Sequence, residues 1–118
     1  MCIRDRRVTD ADVVVILITF PIDADVEGFV AGLVDEGSAA CVTVLPEVES
    51  VFRWAGSLER TKERQLLVKT TASRVDHLQT RVRELHPYEN PEFLVLPVFG
   101  GDERYLVWIR DATNGAEL

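Results

Sequence analysis

Long apolar runs are missing from this chain. The longest, Val13 to Ile18, falls far short of the roughly 20 residues that a bilayer-spanning helix needs. No leader of basic, apolar and small-residue segments precedes it, so a cytosolic location is expected. Cysteine is scarce: Cys2 and Cys41 do not amount to a disulfide framework, and reduced thiols are expected. The two histidines, His77 and His86, cannot build a three-histidine metal centre within one chain. There is no GxSxG, no phosphate-cradling glycine loop, no HExxH and no paired-cysteine zinc signature, which removes most catalytic templates. Net positive charge is lacking too. A formal charge of -7 with scattered arginines repels phosphate backbones, so nucleic-acid binding is not expected.

What remains is the balance of a globular domain: 47% hydrophobic and 28% charged residues in a chain of 118, room for one core. Residues 1–11 are polar and aperiodic and read as a disordered or non-native leader. Asp12 to Thr19 is an almost unbroken β-branched run, the pattern of a strand covered on both faces. Asp23 offers a cap for a helix whose Val26, Phe29, Val30, Leu33 and Val34 share a face and which Gly37 stops. Gly28 and Gly32 fall off that stripe and read as tolerated on its outer face.

Ala39 to Trp54 is strand-like, with a bulge or edge position implied by Pro46. Ala55-Gly56-Ser57 turns the chain into a returning strand, Glu63 to Thr71, making a long hairpin. Ser73 and Asp76 fit a capping box for a second helix with Val75, Leu78, Val82 and Leu85 as its buried stripe. That helix must end near Leu85, because His86 precedes a proline. Phe93 to Val98 reads as the last core strand. Asp102 can cap a short C-terminal helix with Tyr105, Leu106, Trp108 and Ile109 facing inward. The order βαββαβ predicts a ferredoxin-like α+β fold, an antiparallel sheet with both long helices on one face. The opposite face must be covered by the final helix, a partner subunit or both. Phe52 and Trp54 near the hairpin tip point to self-association, unless the arms bend back within their own subunit.

The segment with the most chemical content is His86-Pro87-Tyr88-Glu89-Asn90-Pro91-Glu92. It sets an imidazole and two carboxylates in one proline-held loop, a donor set that suits copper, nickel, zinc or iron. Further ligands must come from another segment, water or a neighbouring subunit, with Glu59 near the hairpin tip as one candidate. The competing reading makes His86 a helix-ending residue with local hydrogen bonds. Cys41, flanked by apolar residues, reads as a buried small hydrophobe. Lys69 reads as a solvated side chain.

The run Val13 to Thr19, Ala39-Ala40-Cys41-Val42, Trp54-Ala55-Gly56 with Leu58-Glu59, Lys69-Thr70-Thr71, His86-Pro87-Tyr88, Pro91-Glu92 with Leu96-Pro97-Val98, and Gly101-Asp102 with Tyr105-Leu106 and Trp108-Ile109 closely resemble the CutA divalent-cation tolerance family. The resemblance covers residues 12–112 and leaves 113–118 as a C-terminal tail. It implies a cytoplasmic homotrimer of ferredoxin-like subunits, similar to the nitrogen-regulatory PII proteins, that binds divalent cations, copper(II) foremost, and is not an enzyme. Carried over by position, the metal residues are His86, Glu92 and Glu59. Two departures stand out: Ile18 where some members place a cysteine, and Ala55 where some read glutamate. A PII-like sensor that takes a small anionic ligand and signals to a protein partner is the alternative; a small enzyme using His86 as acid or base is the third reading.

Overall fold

The computed structural model describes residues 8–114. Along the chain run β1 (Val13–Pro21), α1 (Val26–Asp35), β2 (Cys41–Trp54), β3 (Ser57–Thr71), a 3-10 turn (Ala72–Arg74), α2 (Val75–Leu85), β4 (Leu94–Pro97) and α3 (Glu103–Asn114). The sheet order is β2-β3-β1-β4, antiparallel at every pairing, the arrangement the βαββαβ order predicts. Residues 1–7 and 115–118 of the expected leader and tail lie outside the described residues. Residues 9–12 form a turn in which Asp12 accepts from the Thr9 amide, and the carbonyls of Asp10 and Asp12 accept from Ser73 and Ala72.

The main core lies between the sheet and the two long helices. Val14, Ile16, Ile18 and Phe20 of β1 and Leu66 and Val68 of β3 meet Val26, Phe29 and Leu33 of α1 and Leu78 and Val82 of α2. Alternate residues of one strand supply this face, as the two-residue period of a strand requires. A second, small cluster of Val13, Ala40 and Ile109, flanked by Val98, Leu106 and Ala112, is where α3 covers one end of the opposite face.

Several local expectations need correction. The first helix is capped by Asp25, not Asp23, because the chain first turns from Pro21 to Ala24; Asp25 accepts from the Gly28 amide. A Cβ on Gly28 would stand 2.8 Å from the Asp25 carboxylate, so this glycine is matched to its cap, while Gly32 faces open space apart from the tip of Arg81. Ser73 does not cap α2: it sits inside the 3-10 turn and pairs with the Thr71 hydroxyl. Leu85 is exposed at the end of its helix, and Val34 likewise. The last strand is an edge, not a core strand, paired only with Val14 to Leu17, and Leu94 stays 53% exposed. Helix α3 turns Leu106, Ile109 and Ala112 inward but leaves Tyr105 and Trp108 outside, tilted against each other at 5.5 Å.

The hairpin does project. Its register shifts between Leu45 and Val48, the bulge expected at Pro46, then continues to Trp54 opposite Ser57. Ala55 and Gly56 close it with left-handed backbone, φ 50° and 84°, the two-residue turn that suits the twist of paired strands. Beyond the bulge Val51, Phe52, Trp54 and Leu58 are all exposed, so the aromatics do not fold back. The radius of gyration, 15.2 Å, exceeds the roughly 13.5 Å of a compact domain of this length.

Candidate functional site

β4 stops pairing at Leu17, and past that point side chains take over from backbone partners. The Ile18 carbonyl accepts from the Gln65 amide at 3.0 Å, and the Thr19 carbonyl accepts from His86 Nε2. His86 is placed there because Pro87 forces it out of helical geometry at the end of α2 (φ -78°, ψ 135°). Its ring stacks on Phe20 with centroids 4.3 Å apart, and it is only 8% exposed. Nδ1 accepts from the Tyr88 amide at 3.1 Å. Since Nε2 faces a carbonyl and Nδ1 an N–H, the ring is the neutral Nε2–H tautomer. Both nitrogens are occupied, as in the local hydrogen-bonding reading of this residue.

Around it lies a seam of polar groups that sequence reasoning missed. Glu63 is 5% exposed. One of its oxygens accepts from the Ser50 hydroxyl at 2.6 Å and the other from Tyr88 at 2.9 Å. No cation pairs with it among the described residues. Burying a carboxylate without a counter-charge is costly unless strong donors meet it, and two hydroxyls are the donors here. Burial, then the bond to Glu63, pushes the Tyr88 phenol up to about 12, so it remains a donor at neutral pH. Two residues along, on the same face of β3, Gln65 also donates to Glu92 at 2.9 Å. Thus His86 and Glu92 are held at the same step of the sheet, where Thr19 pairs with Gln65. The only available signal for Glu63 was its place two residues before Gln65 in a strand whose other face is apolar; burial of a glutamate cannot be read from that.

Glu59 is not brought to this seam. It faces Phe52 across the projecting hairpin, four residues from Glu63 and so about 13 Å along the strand, though on the same face. Among the described residues no three His, Cys, Asp or Glu side chains converge to hold an ion. One chain therefore does not complete a metal centre with the donors named from the sequence. Ile18 is fully buried in the core. Cys41 is half-buried, correcting the expectation of full burial: it lies on edge strand β2, with Lys69 Nζ 3.9 Å from its sulfur and 3.1 Å from the Thr43 hydroxyl. His77 has a structural place. With Arg81 and Ser38 it surrounds Glu36 at the end of α1; burial acts to raise that carboxyl, but these bonds hold it down at about 2.

Comparison with known proteins gives a consistent result. Residues 14–112 match the family described as CutA1 divalent ion tolerance protein. A divalent-cation tolerance protein CutA of Pectobacterium atrosepticum is 46% identical over 105 residues, spanning 89% of this chain and 94% of the relative. The solved structure of a divalent cation tolerance protein from Thermus thermophilus superposes with a TM-score of 0.81 at 40% identity, covering 86% of this chain and 98% of that one. A structure from Archaeoglobus fulgidus, described as a periplasmic divalent cation tolerance protein CutA, does so at 0.80 and 28% identity, with 86% and 98% covered.

Proposed function

This chain belongs to the CutA1 divalent ion tolerance family, and from that membership we propose that it serves divalent-cation tolerance by binding the cation, copper(II) foremost, in a cytoplasmic homotrimer. The observation that carries the reading is the seam itself. Glu63 on β3 and Glu92, bonded to Gln65 two residues further along that strand, lie on one face near the His86 imidazole, with no cation paired to either carboxylate among the described residues. Imidazole and carboxylate oxygen are donors that cupric ion accepts. In this proposal Glu92 and His86, through Nδ1 once the Tyr88 amide releases it, hold the ion, and Glu59 arrives from a neighbouring subunit's hairpin. Exposed Phe52, Trp54, Leu94 and Trp108 support the assembly, since apolar area of this extent on a small domain marks an interface. No helix among the described residues is long and apolar enough to cross a membrane.

Titration calorimetry with cupric and zinc salts, together with light scattering, tests the reading. A particle near three times 13.3 kDa is expected. Cupric binding should fall in Glu92→Gln, Glu59→Gln and His86→Ala and persist in Cys41→Ser. Binding that is equal in wild type and Glu92→Gln sinks the site, and a monomer at micromolar concentration sinks the assembly.

A further inference from the structure

Away from the seam, where the turn after β3 meets the end of α3, lies a cavity of about 540 Å³ whose wall includes Thr71, Ser73, Arg74, Arg110 and Thr113. That volume is in the range of small-ligand pockets. The two arginines differ from the three that the described residues hold in ion pairs. Arg60, Arg64 and Arg81 each meet a glutamate. Arg74 and Arg110 bond only carbonyls, those of Thr113 and Ala11, and neither has a carboxylate partner among the described residues. In a chain of net charge -7, two half-buried guanidiniums that ion-pair with no carboxylate among the described residues stand together on the wall of one cavity, which Asp10 and Asp111 also line. Arg74 Nε, like Arg64 Nε, is a buried donor that meets no acceptor among the described residues, and an unmet buried donor costs stability.

We propose that this cavity binds a small oxyanion, a phosphoryl or carboxylate group, between Arg74 and Arg110, independently of the metal reading above. A planar guanidinium presents paired N–H groups matched to two oxygens of such an anion. The Ser73 and Thr71 hydroxyls, 3.0 Å apart, add rotatable donors on the same wall. Asp10 and Asp111 also line the cavity, and like-charge repulsion from them excludes polyanions, so the ligand is a small mono- or dianion.

The test is calorimetric titration of the whole protein, in the presence of a chelator, with inorganic phosphate and with succinate at constant ionic strength. Saturable binding of one of them is expected, and which one identifies the phosphoryl or carboxylate source. Arg110→Gln should weaken it about tenfold or more, the loss of one charge-assisted contact, while Arg83→Gln, an exposed position on α2, should leave it unchanged. Arg74→Gln should weaken it similarly; because that guanidinium also holds the end of α3, a poorly folded variant leaves the decision to Arg110→Gln. No saturable binding of either anion, or wild-type affinity in Arg110→Gln, overturns the proposal.

Discussion

Removing one oxygen atom, in Tyr88→Phe, tests whether Glu63 is a charged group held by hydroxyl donors. The phenylalanine ring keeps the contact with His86, whose centroid is 4.8 Å away, and only the donor to Glu63 at 2.9 Å is lost. Glu63 then retains the Ser50 hydroxyl alone. A hydrogen bond to an ionised acceptor contributes about 1.5–3 kcal/mol and one between neutral groups about 1 kcal/mol. The variant should therefore lose about 2 kcal/mol, or on the order of 8 °C in melting temperature. In a Glu63→Gln background the same change should cost only about 1 kcal/mol, leaving a coupling of about 1 kcal/mol in the double-mutant cycle. Calorimetric melts at one fixed protein concentration measure all four proteins, since the proposed assembly would make stability concentration-dependent. The pH dependence has a definite sign. With the folded phenol raised from 10.0 to about 12, its contribution is complete below pH 10 and is lost as pH rises from there towards 12. Tyr88→Phe should lack that alkaline decline. If it melts with wild type, or costs as much in the Glu63→Gln background, the seam is not organised around a carboxylate charge.

Three further outcomes are expected. Glu36, held at about 2 against an ordinary 4.5, contributes stability that is complete above pH 4.5 and lost as pH falls towards 2; after solvent screening this is no more than about 2 kcal/mol, and Glu36→Gln should flatten melting temperature across that window. Ala55 is a non-glycine residue at φ 50°, so Ala55→Asn should raise the unfolding free energy by about 0.5–1 kcal/mol, whereas a lower value would mean that the turn changes in the proposed assembly. Trp54, 55% exposed in the single chain, should give a concentration-dependent loss of about 3–5 kcal/mol in Trp54→Ala if a neighbouring subunit buries it; light scattering and denaturation midpoints identical to wild type would show the tip to be bare in the assembly.

The order of elements, the one-sided helices and the bulge at Pro46 were legible because each follows from a local rule: the two-residue and 3.6-residue apolar periods, and the missing N–H of proline. The exit of His86 from its helix was likewise written in the proline after it. Caps were less legible. Asp23 and Asp25 have the same chemistry, and only the turn from Pro21 to Ala24 selects the second. Leu94 to Leu96 carry the apolar composition of a core strand, yet their exposure depends on the strand's being last in the sheet, which no local pattern encodes.

The sequence by itself therefore determined the fold and its family, and it singled out His86 and Glu92 as residues of one loop. Only the tertiary structure decided what surrounds them. Pairing β1 with β3 sets Thr19 against Gln65 and brings Glu92 and Glu63 to one face, and the Thr19 carbonyl, distant in the chain, meets His86 Nε2. It also kept Glu59 out on the hairpin and drew Arg74 and Arg110, 36 positions apart, onto one cavity wall. The physical reason is the range of the forces. Periodicity, turn chemistry and capping act within a few residues, whereas the desolvation that makes a carboxylate or a guanidinium need a partner depends on strands and helices distant in the chain.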